Sequence, residues 1–149
     1  MFNSFNFVET NEIQLKMSDI NKTKVIIVDQ SLFIRKMIKT ILNCDHNYEV
    51  IAECSTGNEG VLVARKLQPE IIVFGGQLND LSCEQFRDKL NLYDNNFRVI
   101  VITEKEKCKS CVLGFVSGRC EKIQQPFNPE SLLDILKNTS DKELVKIAK

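Results

Sequence analysis

Apolar and polar positions along the chain alternate between short unbroken runs and helical stripes. Val25-Ile-Ile-Val28 is the first apolar run, ending at Asp29-Gln30-Ser31. Ile71 to Phe74 is a second, entered through Pro69-Glu70 and halted by Gly75-Gly76. Runs of this length without alternation fit strands buried on both faces of a parallel sheet. Between them the period changes. Phe33, Met37 and Ile41 recur every four residues, with Ile34, Ile38 and Leu42 beside them, which predicts a helix capped by Asp29 or Ser31. Tyr48 to Cys54 predicts an edge strand. Gly57-Asn58 opens a second helix with Val61, Ala64 and Leu67 inward, and Pro69 stops it.

Further along, Ser82 caps a third helix that turns Phe86 and Leu90 inward, and Phe97 to Ile102 forms a fourth strand ending at Thr103. Cys108 to Val116 predicts a short fourth helix, terminated near Gly118. Lys122 to Gln124 is a weak fifth strand leading into Gln125-Pro126-Phe127. Asn128 or Ser131 starts the last helix, with Leu132, Ile135 and Leu136 packing inward. Five strands alternating with five helices imply an α/β protein: a three-layer (βα)5 doubly wound parallel sheet of the flavodoxin-like kind, strand order 2-1-3-4-5. Residues 1–21 read as an N-terminal tail, with Phe5, Val8 and Glu12 spaced for a short docking helix as the other reading. Residues 22–140 form the domain, and 141–149 a short C-terminal extension.

Composition narrows the function classes. The 149 residues carry 20 basic and 20 acidic side chains, so no electrostatic footprint for nucleic acid appears. No apolar run approaches the roughly 20 residues of a membrane span. A basic region followed by an apolar core is missing from the N-terminus, and six cysteines in such a chain are expected as reduced thiols in a cytoplasm. Cys108 and Cys111 form one pair at two-residue spacing, with Cys83 and Cys120 elsewhere. A zinc site needs a second pair, so no metal or other cofactor is expected. Thiol sensing through Cys108 and Cys111 stays as an alternative input.

The segments Val25 to Ile38, Tyr48 to Glu53, Thr56-Gly57, Pro69 to Val73, Val99 to Thr103, Gly118 and Pro126-Phe127-Asn-Pro129 resemble a response-regulator receiver domain, most closely the chemotaxis type. The resemblance spans residues from about 23 to 140. It implies that an Asp at the end of strand three accepts a phosphoryl group from a kinase His. Two acidic residues after strand one would hold Mg²⁺, a hydroxyl after strand four would contact the phosphoryl group, and a Lys before Pro-Phe would neutralise it. By position these roles fall on Gly75, on Asp29 and Gln30, on Thr103 and on Gln125. Glycine offers no nucleophile, one carboxylate with one amide is a poor Mg²⁺ site, and glutamine offsets no charge.

The resemblance therefore implies a non-enzymatic pseudo-receiver, a phosphorylation-independent protein-binding module in a two-component or chemotaxis pathway. Its partner would be a sensor kinase, a flagellar motor-switch component or another receiver, and a homodimer is open. The family's partner face falls on Cys111, Phe115, Lys122, Gln124 and Asn128, with Lys122 where an aromatic switch residue is usual. The alternatives are a displaced acceptor at Asp80, or another small ligand around Asp29, Thr103 and Gln125. Relief of repulsion among clustered carboxylates, through Gly75 and Gln30, further predicts a melting temperature indifferent to Mg²⁺.

Overall fold

A computed structural model describes residues 22–75, 78–91, 97–104 and 119–137. Five strands, β1 (Thr23–Val28), β2 (Tyr48–Cys54), β3 (Ile71–Gly75), β4 (Arg98–Glu104) and β5 (Arg119–Gln125), form one sheet in the order β2-β1-β3-β4-β5. Every pairing is parallel. The described helices are α1 (Leu32–Asn43), α2 (Gly57–Leu67), α3 (Cys83–Asn91) and α4 (129–137). The flavodoxin-like order is the expected one. The tail, the helix expected over 108–116 and the C-terminal extension lie outside the described residues.

Strand alternation divides the core into two layers. Ile26, Val28, Ile72, Phe74, Val99 and Val101 face α2 and α3, meeting Val61, Ala64, Phe86 and Leu90. Val25, Ile27, Ile71, Val73, Ile100 and Ile102 face α1 and α4, meeting Ile38, Ile41, Leu42, Leu132 and Leu136. Phe74 and Phe86 stack with ring centroids 4.1 Å apart, tying β3 to α3. Helix α2 approaches β1 closely because Gly60 has no side chain. A Cβ there would stand 2.8 Å from both methyls of Val28.

Local chemistry sets the helix ends. Ser31 caps α1, its Oγ accepting from the Ile34 amide, and Thr56 caps α2 by accepting from Glu59. At α3 the Ser82 Oγ accepts from the Gln85 amide, while the Gln85 side chain accepts from the Ser82 amide, a reciprocal capping box. Asn128 starts α4 by accepting from the Ser131 amide at 2.8 Å, with Pro129 as the first helical residue. Helix α2 ends at Gln68, whose φ of 51° is left-handed.

Two inward assignments are corrected. Phe33 is 73% exposed, because the buried stripe of α1 runs through Ile34, Ile38, Ile41 and Leu42, and Phe33 lies outside that stripe. Leu67 is exposed too, since the buried face of α2 comprises Gly57, Gly60, Val61 and Ala64, and Leu67, in its last turn, turns away.

Candidate functional site

Parallel pairing brings the expected site positions to one edge of the sheet. Strand β1 pairs with β3 in the register Val25↔Ile71 to Val28↔Phe74, so one step further sets Asp29 beside Gly75. Strand β3 then pairs Gly75 with Ile102 on β4, just before Thr103. Strand β4 pairs Thr103 with Gln124 and Glu104 with Gln125 on β5. Asp29, Gln30, Gly75, Thr103 and Gln125 thus line the carboxyl ends of four strands, where open α/β sheets bind ligands. Thr103 and Lys122 are placed here by backbone register alone.

The centre of this edge is filled from within. Asp29 is 7% exposed, the one buried charged residue among those described. Alternation along β1 sends its side chain to the same layer as Val25 and Ile27, and Gly75 lies on that layer as the continuation of Ile71 and Val73. With no side chain on Gly75, the Asp29 carboxylate lies across it. A Cβ built on Gly75 would collide with Oδ2 and stand 2.7 Å from Cγ of Asp29. The volume above the end of β3 is therefore occupied by a carboxylate that belongs to β1.

Asp29 is held on several sides. Its Oδ1 accepts from the Ser31 amide at 2.8 Å, its own amide donates to the Cys54 carbonyl at 3.0 Å, and its carbonyl accepts from Arg35 Nη1 at 2.6 Å. Arg35 also faces Glu53, Nε to Oε1 being 3.7 Å, and Lys39 Nζ reaches Glu53 at 3.3 Å. Burial pushes the Asp29 pKa above the usual carboxylate value, while the Ser31 amide and the Arg35 charge act in the other direction. Of the two expected roles for Ser31 and Asp29 at the start of α1, Ser31 is the cap and Asp29 anchors the turn before it.

These residues do not fit a Mg²⁺ ion. A hard cation of this kind needs oxygen ligands in near-octahedral array. Here the single carboxylate has one oxygen on a backbone amide and the other packed over Gly75. Gln30 is exposed beside it and brings no second negative charge. Gln125 is partly buried and forms a cis peptide bond with Pro126.

Asp80 has a different occupation from the one raised in the sequence. Its Oδ1 accepts from the Gly57 amide and its Oδ2 from the Asn58 amide, both at 2.9 Å. The hydrogen bond from Asn58 leads the effects that hold its pKa below the usual value. Sequence reasoning missed this bridge because partners more than twenty residues apart leave no local spacing. Of the expected partner face, Gln124 and Asn128 are exposed, while Cys111 and Phe115 lie outside the described residues, as do Cys108 and Gly76. Cys44 and Cys54 are free thiols, and burial pushes the Cys54 thiol up to about 11. Among the described residues no helix is long and apolar enough to cross a membrane.

Comparison with known proteins agrees with this fold. The chain is 42% identical over 114 residues to a protein-glutamate methylesterase/protein-glutamine glutaminase of Methanococcus maripaludis, covering 76% of this chain and 31% of that protein. It is 26% identical over 117 residues to the chemotaxis protein CheY of Thermotoga maritima, covering 78% of this chain and 97% of the relative. A nitrate/nitrite response regulator homolog of Haemophilus influenzae is 25% identical, and the chain spans 60% of its length. Among solved structures, a CheY-like receiver domain protein of Methanospirillum hungatei superposes with a TM-score of 0.69 at 24% identity, covering 84% of this chain and 98% of that one. Residues 25–137 match the response regulator receiver domain as a family, and the chain belongs to it.

Proposed function

We propose that this chain is a pseudo-receiver: a receiver domain that binds a protein partner without accepting a phosphoryl group. The observation that supports this reading is the Asp29 carboxylate lying across Gly75. Gly75 stands where the family's acceptor is expected, and the space an acceptor side chain needs is taken by a carboxylate already bound to Ser31. In-line transfer depends on a nucleophile held in place, and here neither the residue nor the room is provided. Gln30 and Gln125 remove the second acidic residue and the cation that would stabilise the transferred group.

A displaced acceptor at Asp80 is disfavoured by the same kind of argument. Both of its oxygens are engaged on amides at the start of α2. The chain works in the cytoplasm as a non-enzymatic module, and its partner is a sensor kinase, a flagellar motor-switch component or another receiver. One relative with a solved structure is a CheY from Borrelia burgdorferi in complex with CheX and a beryllofluoride–Mg²⁺ pair. That receiver forms its complex with the phosphate mimic bound, whereas this chain is read as binding its partner without one.

The test is titration with beryllofluoride and Mg²⁺, followed by amide resonances. Asp29, Gly75 and Thr103 are expected to stay unshifted, and intact mass is expected to show no phosphoryl adduct after incubation with acetyl phosphate. Saturable shifts at those amides, or a mass gain of one phosphoryl group, would refute the reading.

A further inference from the structure

Helix α1 has a second face that the core does not use. Opposite Ile38 and Leu42, its first turn presents Leu32 and Phe33, 54% and 73% exposed. Scattered surface hydrophobics are ordinary, but here two large ones are adjacent. One turn further on come the exposed Lys36 and then Lys39, which reaches Glu53. The outer face of α1 is thus apolar and aromatic at its start and cationic along the next two turns.

The chain before β1 has the complementary chemistry in the complementary order. Residues 1–15 include Phe2, Phe5, Phe7, Val8, Ile13 and Leu15, with Glu9 and Glu12 and no Lys or Arg. This segment joins the fold through Lys22, at the amino edge of the sheet, while Leu32 and Phe33 lie at the carboxyl edge. The six residues of β1 separate those edges by roughly 20 Å. The stretch from Phe7 to Lys22 reaches about 22 Å even at the helical rise, and further when extended. Helix α1 descends from the carboxyl edge as the segment would ascend to it. Phe7 set beside Phe33 therefore brings Glu9 and Glu12 past Lys36 and Lys39.

We propose that residues 1–15 dock antiparallel on the outer face of α1, Phe5 and Phe7 covering Leu32 and Phe33 and the two glutamates facing the lysines. This docking does not depend on the domain being blind to phosphate.

Hydrogen–deuterium exchange on the full chain tests it. In the wild type, amides of residues 2–12 are expected to exchange about tenfold more slowly than in the double variant Leu32→Ser/Phe33→Ser, as the loss of buried aromatic contact implies. Both substituted positions are exposed, so the fold is retained, and an unchanged melting temperature verifies this. In the reciprocal variant Phe5→Ser/Phe7→Ser, amide resonances of residues 32–36 are expected to shift, and Lys36→Glu is expected to speed exchange of residues 2–12. Equal exchange in wild type and the Leu32/Phe33 variant overturns the proposal. Protection that grows with protein concentration also overturns it, because a second copy is then the occupant.

Discussion

At the scale of single residues, Asp29 and Gly75 behave as one unit. Gly75→Ala introduces a methyl group where the Asp29 carboxylate lies, and both ends of the contact are backbone-anchored. Overpacking of this kind costs about 1–3 kcal/mol. In a double-mutant cycle with Asp29→Ala the loss is expected to be largely recovered, as urea unfolding midpoints would reveal; additive losses would mean the contact is unimportant. Asp29 also sets a pH dependence of defined sign. Its folded pKa is raised, so the native state holds this proton more tightly than the unfolded chain does. Its contribution therefore falls as pH rises from about 4 through the raised value. Asp29→Asn, which can still accept from the Ser31 amide, is expected to unfold at a higher temperature than the wild type near neutral pH. That gain should shrink on acidification, and a gain independent of pH would count against burial as its cause. The apolar run of β3 was legible in the sequence, and so was the missing side chain at Gly75. What fills the space was not, because it follows from the register of two strands that are distant in the chain.

At the scale of elements, α2 shows how a helix start is assembled from two places in the chain. Thr56 caps it locally, and Asp80 engages the Gly57 and Asn58 amides from the loop after β3. Asp80→Ala leaves those two donors to solvent and is expected to cost about 1 kcal/mol, the size of a lost helix cap. The folded pKa of Asp80 is lowered, so its contribution is present above about 4 and disappears as pH falls through the lowered value. Wild type and variant should then converge in stability at low pH, which chemical denaturation at two pH values would check. A constant difference would mean that the charge is irrelevant. Helix starts of the local kind were readable from sequence, as Ser31, Ser82 and Asn128 show. The inward stripe of α1 was readable only in part: both series of every-fourth residues looked apolar, and the one through Phe33 is buried at Ile41 and half-buried at Met37 but exposed at Phe33 itself.

At the scale of the whole molecule, the sheet order was legible because buried strands alternating with helices leave few topologies. The residues at the expected site positions were legible in the sequence, their chemistry only as an expectation, and those residues can be exchanged in steps. The wild-type melting temperature is expected to be the same in EDTA and in millimolar Mg²⁺, since Asp29 alone makes no metal site. Gly75→Asp sets a second carboxylate against Asp29 in a poorly solvated position, where two like charges raise each other's pKa. This variant is expected to melt below the wild type in EDTA and to recover on addition of Mg²⁺, which neutralises the pair. On the pseudo-receiver reading the metal alone is not expected to allow group transfer, because Gln125 leaves the charge of roughly −1.5 to −2 on a phosphoryl group without the cation expected there. Adding Gln30→Asp and Gln125→Lys to Gly75→Asp supplies both remaining groups, and only this triple variant is expected to gain a phosphoryl mass with acetyl phosphate. If Gly75→Asp alone were labelled as fully as the triple variant, the losses at Gln30 and Gln125 would be incidental. If instead the wild type responded to Mg²⁺, the Asp29 carboxylate would have to leave Gly75 readily, and the closed edge of the sheet would be one of two states in exchange.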